Sequence, residues 1–278
     1  MTVATVTRSE FTKFFSTSLW WVLGLVLVVY IAFTAAALAF AIGAVGSGML
    51  PGEGAPVPTE GVAPVLYSLA ASVGYVIPLI LGTLMVTSEF RHKTLTATFL
   101  ATPRRGTVLW AKIVAGIVVG VGFGIVGALS SVGPAAGLLA AFGVETDLGV
   151  GSTWALIARV VLALTIWVVV GIGVGALVRN QVAAVVGVLV FTQFLEPIAR
   201  AAGAFVSGLD TVTNYLPGAA SDALVGASIF QMAGAGTSTS GLEWWAGGAV
   251  LLAYAVVLLV LGYALNRSEE HTSELQSH

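Results

Sequence analysis

The sequence predicts an all-α integral membrane protein with six transmembrane helices and both termini in the cytoplasm. Three observations carry that prediction. First, 58% of the 278 residues are hydrophobic and only 9% charged, with a mean hydropathy of +1.00. A soluble domain carries about 25% charged residues, so this few cannot cover a water-soluble globule of such length. Second, six apolar stretches approach or exceed the roughly 20 residues that cross a hydrocarbon core about 30 Å thick. Third, Lys and Arg alternate between connecting segments. The composition excludes disorder, coiled coil and a soluble enzyme core. The absence of cysteine excludes disulfides and thiolate chemistry, and a formal net charge of −2 suggests no nucleic-acid partner.

The apolar stretches run at about 19–45, 62–86, 108–140, 154–178, 182–198 and 244–265. The first follows Arg8 and Lys13, as a secretory signal would, but its apolar run is longer than a signal core and five more spans follow, so it reads as a retained helix. The third is longer than a straight span, and Gly133-Pro134 is expected to break or kink it. The fifth is short and ends at Glu196-Pro197 or continues to about Ala204. Trp20, Trp21, Trp110, Trp154, Trp244 and Trp245 stand at or near span ends, where aromatic anchors meet the interface.

Residues Arg267–His278, RSEEHTSELQSH, are an abrupt polar run that resembles the translation of a sequencing-library adapter; the alternative is a natural cytoplasmic tail. The adapter reading makes 267–278 a non-native tail and 1–266 a single transmembrane domain with 10 basic and 10 acidic residues and His92 as its sole histidine.

Basic residues set the direction. Arg8 and Lys13 precede the first span; Arg91, Lys93, Arg104, Arg105 and Lys112 surround the loop after the second; Arg179 follows the fourth. The loops after spans one and three contain no Lys or Arg, only Glu53, Glu60, Glu145 and Asp147. After span five, Arg200 stands against Asp210, Asp222 and Glu243.

Residues Arg8–Ser18, RSEFTKFFSTS, place Phe11, Phe14 and Phe15 on one helical side with Glu10 and Lys13 elsewhere. That pattern suits an interfacial helix, or else a plain polar lead-in. The cytoplasmic segment TSEFRHKTLTATFLATPRRGT, Thr87–Thr107, interleaves Glu89, Arg91, His92 and Lys93 with Phe90, Leu95, Phe99 and Leu100. Ser88 can cap a short helix and Pro103 end it, giving an amphipathic element that lies on lipid or docks in a partner groove. A solvated loop that only enforces topology would account for the arginines but not the interleaved apolar residues.

In its order of parts the chain resembles the permease subunits of type-2 ABC exporters. The resemblance rests on SEFTKFFSTSLWW entering span one, SEFRHKTLTATFLATPRR between spans two and three, and NYLPGAA at Asn214–Ala220. It implies that the 88–105 loop is a coupling helix seated in a cleft of a separate ABC ATPase subunit, with ATP and Mg held there and no cofactor in this chain. Glu89, Phe90, Arg91, His92, Thr94 and Thr98 would then face the ATPase, and Pro103 and Arg104 would close the element. Lys93 stands where a glycine is common in the family. The resemblance further implies export, a second permease copy or a related permease completing the pathway, and a small outer gate within Ala201–Gly241. A bacterial cytoplasmic membrane fits the Gly-, Ala- and Val-rich composition.

No lysine follows a glycine, so the chain has no phosphate-cradling loop of its own. The G-x-G-x-x-G match at Gly122, Gly124 and Gly127 lies inside a span with no preceding strand, which rules out dinucleotide binding. Gly116, Gly120 and Gly124, like Gly171 and Gly175, repeat at four-residue spacing and suit close helix packing within a subunit or across a dimer seam.

Among intramembrane polar residues, Glu196 and Arg200 are four apart on one face. A mutual ion pair is the plain reading; a pathway or gate role, shared with Gln193, is the sharper one. Arg159 can snorkel outward. An enzyme is not expected: there is no HExxH motif, no cysteine, and no paired carboxylates within the membrane. The competing reading is a self-sufficient secondary transporter or channel without an ATPase, although no internal repeat and no mid-span carboxylate is evident.

Overall fold

The computed structural model describes residues 3–49, 61–91, 105–178, 180–206, 209–232 and 242–276, which form helices and no strands. Helix α1 is Val3–Ser16, and α2, Leu19–Gly46, begins three residues later. Short helices α3 (Val62–Tyr67) and α4 (Leu69–Ser72) lead into α5 (Val76–Arg91). Two long helices follow, α6 (Arg105–Ala141) and α7 (Gly151–Leu177). Helix α8 (Gln181–Val190) passes through a π-helical turn, Phe191–Leu195, into α9 (Glu196–Phe205). Short helices α10 (Leu209–Thr213), α11 (Pro217–Val225) and α12 (Ile229–Met232) precede α13 (Trp244–Gln276).

Five segments are long and apolar enough to cross a membrane: α2, Leu109–Ala141, α7, Gln181–Gly203 and Trp244–Leu265. Their side chains are apolar on faces the bundle leaves open, with Phe33 at 73%, Leu129 at 67% and Val182 at 68% exposure. In water such surfaces would be a large unpaid hydrophobic cost; facing lipid they are not. The fold defines a multi-pass all-α membrane protein.

The second predicted stretch, 62–86, is not among these five. It is three helices separated at Ser68 and at Val73–Tyr75 rather than one rod. Pro78 fits the second break: it has no N–H for the carbonyl of Gly74, and α5 starts at Val76, so Pro78 falls in its first turn, where no intrahelical donor is needed. The chain turns there, with Ile77 N–H bonding Gly74 O at 3.1 Å. A Cβ on Gly74 would stand 2.7 Å from Ile31 of α2 and 2.6 Å from Ala70 O, so glycine permits the turn to sit against α2.

Gly133-Pro134 does not break α6, which stays helical through Pro134 to Ala141. The fifth stretch takes the longer of its two expected courses, remaining helical past Glu196-Pro197 to Phe205. Pro197 is accommodated because the π-turn ends at Leu195 and α9 starts at Glu196, with Pro197 in its first turn. Short helices α10, α11 and α12 fill part of 201–241.

Helix α7 forms the centre. Of its most apolar window 72% is buried, against 22% for α2, and α5, α6 and α13 all pack on it. The glycine repeats serve these contacts within one subunit. A Cβ on Gly120 would meet Thr165 Cα at 3.0 Å, and one on Gly124 would meet Val161 O at 2.8 Å. Across the α5–α7 seam, Gly171 faces Leu79 O, Gly175 faces Thr83 O and Gly82 faces Val168 O, all closer than a methyl group tolerates. Backbones meet there directly, which drives helix association in lipid without a hydrophobic term.

Candidate functional site

Two buried charge clusters stand in the bundle, one at the C-terminal end of α5 and one that includes Ser72 of α4, ahead of α5. The first joins α1, α5 and α6. Lys112 of α6 donates to Glu10 Oε2 at 2.5 Å and pairs with Glu89 Oε1 at 2.8 Å. Lys13 donates to Glu10 Oε1 at 2.9 Å and to Glu89 Oε1 at 3.0 Å. Two carboxylates and two ammoniums thus alternate in a closed ring. Glu10, Glu89 and Lys112 are buried, while Lys13 remains 44% exposed.

The ring explains its own charge states. Burial opposes ionisation of Glu10, but Lys112 and then Lys13 outweigh it, and the carboxyl lies below the usual 4.5. Burial likewise opposes the charge on Lys13, and Glu10 and Glu89 outweigh it, holding the ammonium above 10.5. Beside the ring a cavity of about 430 Å³ opens between α1 and α5, lined among others by Lys13, Phe14, Ser88, Glu89 and Arg91.

The second cluster joins the fifth of the spans expected from sequence, Gln181–Gly203 in the structure, to α11 and α4. Arg200 donates to Asp222 Oδ2 at 2.7 Å, Ser228 to the same oxygen at 2.8 Å, and Ser72 to Asp222 Oδ1 at 2.8 Å. Glu196 Oε1 accepts the backbone N–H groups of Gly218 at 2.6 Å and Ala219 at 3.1 Å, at the first turn of α11. All nine residues of α11 are buried. Next to them Tyr75 stacks on Trp167 with ring centroids 4.4 Å apart, and the Trp167 indole N–H donates to Ser221 of α11 at 3.0 Å.

The residues singled out from sequence fall in different places. Glu89 is buried and held by lysines, Phe90 is half-buried against the core, and Arg91 is exposed at the end of α5. His92, Thr94, Thr98, Pro103 and Arg104 lie outside the described residues. Gln193 is exposed on the π-turn of the fifth span. The expected Glu196–Arg200 ion pair is replaced: Arg200 reaches Asp222, and Glu196 turns to the α11 backbone. One face of one helix brought those two side chains near each other, but α11 offers each a better partner. Glu10 of α1 turns into the bundle at 4% exposure, while Phe15 is 54% exposed.

Sequence reasoning missed Lys112 and Asp222 as site residues. A lysine inside an apolar stretch was a usable signal, because an ammonium there needs carboxylates. Asp222 carried none, since only the fold brings it to Arg200, 22 positions away. Among the described residues no group of three His, Asp or Glu is placed to hold a metal ion. No family model matches the sequence, and no curated protein matches it.

Proposed function

We propose that this chain is the permease subunit of an ATP-driven ABC exporter of the type-2 class, forming a substrate pathway and coupling through its 88–105 loop to a separate ATPase. The observation that carries this reading is the grip on Glu89. The root of the loop is bound by Lys13 of α1 and Lys112 of α6 at 3.0 and 2.8 Å, so a push on the loop is passed to three helices rather than dissipated in one. Breaking such a buried ion pair leaves an uncompensated charge, which makes the joint stiff. In this reading Glu89 anchors the coupling element from within, and Arg91, exposed beside it, meets the partner. ATP and Mg belong to the ATPase, a second permease copy or a related permease completes the pathway, and a bacterial cytoplasmic membrane is the site of action. A self-sufficient secondary transporter is the competing reading.

Co-purification in mild detergent with the ATPase encoded beside this gene tests the proposal. A stable complex formed by the natural chain and lost on replacing Glu89–Lys93 supports it. A well-folded protein that binds no such ATPase would refute it.

A further inference from the structure

The second charge cluster does not balance. Glu196 and Asp222 supply two carboxylates, and among the described residues Arg200 is the one cation that reaches either of them. The next cation, Arg159 of α7, lies over the Trp244 ring at 5.1 Å, near Gly226 at the far end of α11. Two further titratable groups face Glu196, Tyr75 ahead of α5 and Tyr254 of α13, and both are uncharged phenols that neutralise nothing. With both carboxyls ionised the cluster would carry one uncompensated negative charge inside a membrane-spanning bundle, the costliest arrangement open to it.

The hydrogen bonds say which carboxyl is ionised. Asp222 uses both oxygens, on a guanidinium and two serine hydroxyls. Glu196 is 2% exposed, and although Oε1 receives two backbone N–H groups, Oε2 meets no donor among the described residues. A bare anionic oxygen buried in that way is far less favourable than an O–H. Gly218 fixes the approach, because a Cβ there would collide with the Glu196 carboxyl and keep it from the α11 N-terminus.

We propose that the Glu196–Asp222 pair binds a single proton, seated on Glu196 Oε2, and that this proton fastens the first turn of α11 to the fifth span. Protonated Glu196 keeps Oε1 as a carbonyl acceptor for Gly218 and Ala219 while the cluster stays neutral. If α11 moves away, water reaches the carboxyl, the proton passes to bulk water, and the resulting carboxylate is hydrated. The inference is independent of any ATPase: it concerns a proton site in this chain, whichever energy source moves the substrate.

Infrared difference spectroscopy on the full chain in lipid nanodiscs at neutral pH tests it. The natural protein should show a protonated-carboxyl C=O band that is absent from Glu196→Gln. Glu196→Asp, which keeps the carboxyl, should move that band in frequency, and it serves if the glutamine variant fails to fold. Asp222→Asn should also abolish the band, because Arg200 is then free to neutralise Glu196 and no proton is needed. No such band in the natural protein, or a band unchanged in Glu196→Gln and Glu196→Asp, would overturn the proposal. A band that persists in Asp222→Asn would overturn the charge balance on which it stands.

Discussion

Lys112 of α6 and Glu10 of α1 are joined by a hydrogen-bonded ion pair across 102 positions of sequence, with both side chains almost wholly buried. A helix whose sequence suits either an interfacial position or a polar lead-in is thereby built into the bundle. Removing one partner should cost far more than removing both. Lys112→Met leaves Glu10 and Glu89 sharing Lys13, and we predict a loss of about 3–5 kcal/mol. The double variant Glu10→Met with Lys112→Met leaves the Lys13–Glu89 pair balanced and should be markedly less harmful. Thermal unfolding in detergent distinguishes the two; equal losses would show that the ring is not acting as a charge unit.

The same ring sets a pH window. Glu10 is held below its ordinary 4.5, so its contribution is present above about pH 4.5 and is lost as the pH falls through the lowered value. Lys13 is held above its ordinary 10.5, so its contribution is present below about pH 10.5 and is lost as the pH rises through the raised value. Stability attributable to the ring should therefore be flat between these limits and fall on either side. Glu10→Gln should flatten the acid limb; an unchanged acid limb in that variant would contradict the assignment.

Glycines at the α5–α7 seam should behave differently from those facing outward. Gly171→Ala drives a methyl group into Leu79 O and should destabilise by about 1–3 kcal/mol. Gly122→Ala meets nothing within 4 Å and should be neutral or stabilising by up to about 1 kcal/mol through helix propensity. Melting temperatures of the two variants, measured side by side, check the contrast.

Asn180 caps the fifth span, its side-chain oxygen accepting the N–H groups of Val182 at 3.0 Å and Ala183 at 3.2 Å. Asn180→Ala should cost about 0.5–2 kcal/mol, whereas Asn180→Asp should retain the cap. Loss of stability in both variants would mean that the cap is not what Asn180 contributes.

Composition and apolar run length were enough to identify an all-α membrane protein and to trace most of its helices. Runs of Val, Leu, Ala and Gly with almost no charge leave lipid as the one favourable surroundings, and that inference needs no tertiary knowledge. The sequence also located the glycine repeats, because four-residue spacing places them on one helical face wherever the helix lies. It did not reveal the breaks at Ser68 and Val73–Tyr75 within 62–86, which hydropathy averaging conceals. Which charges meet is settled by how the helices pack. Glu10 turns inward because Lys112 lies opposite it on α6, and Arg200 chooses Asp222 over Glu196 because α11 folds back against the fifth span. Electrostatic pairing depends on distances of a few ångströms between residues 22 to 102 positions apart, and no local pattern encodes those distances.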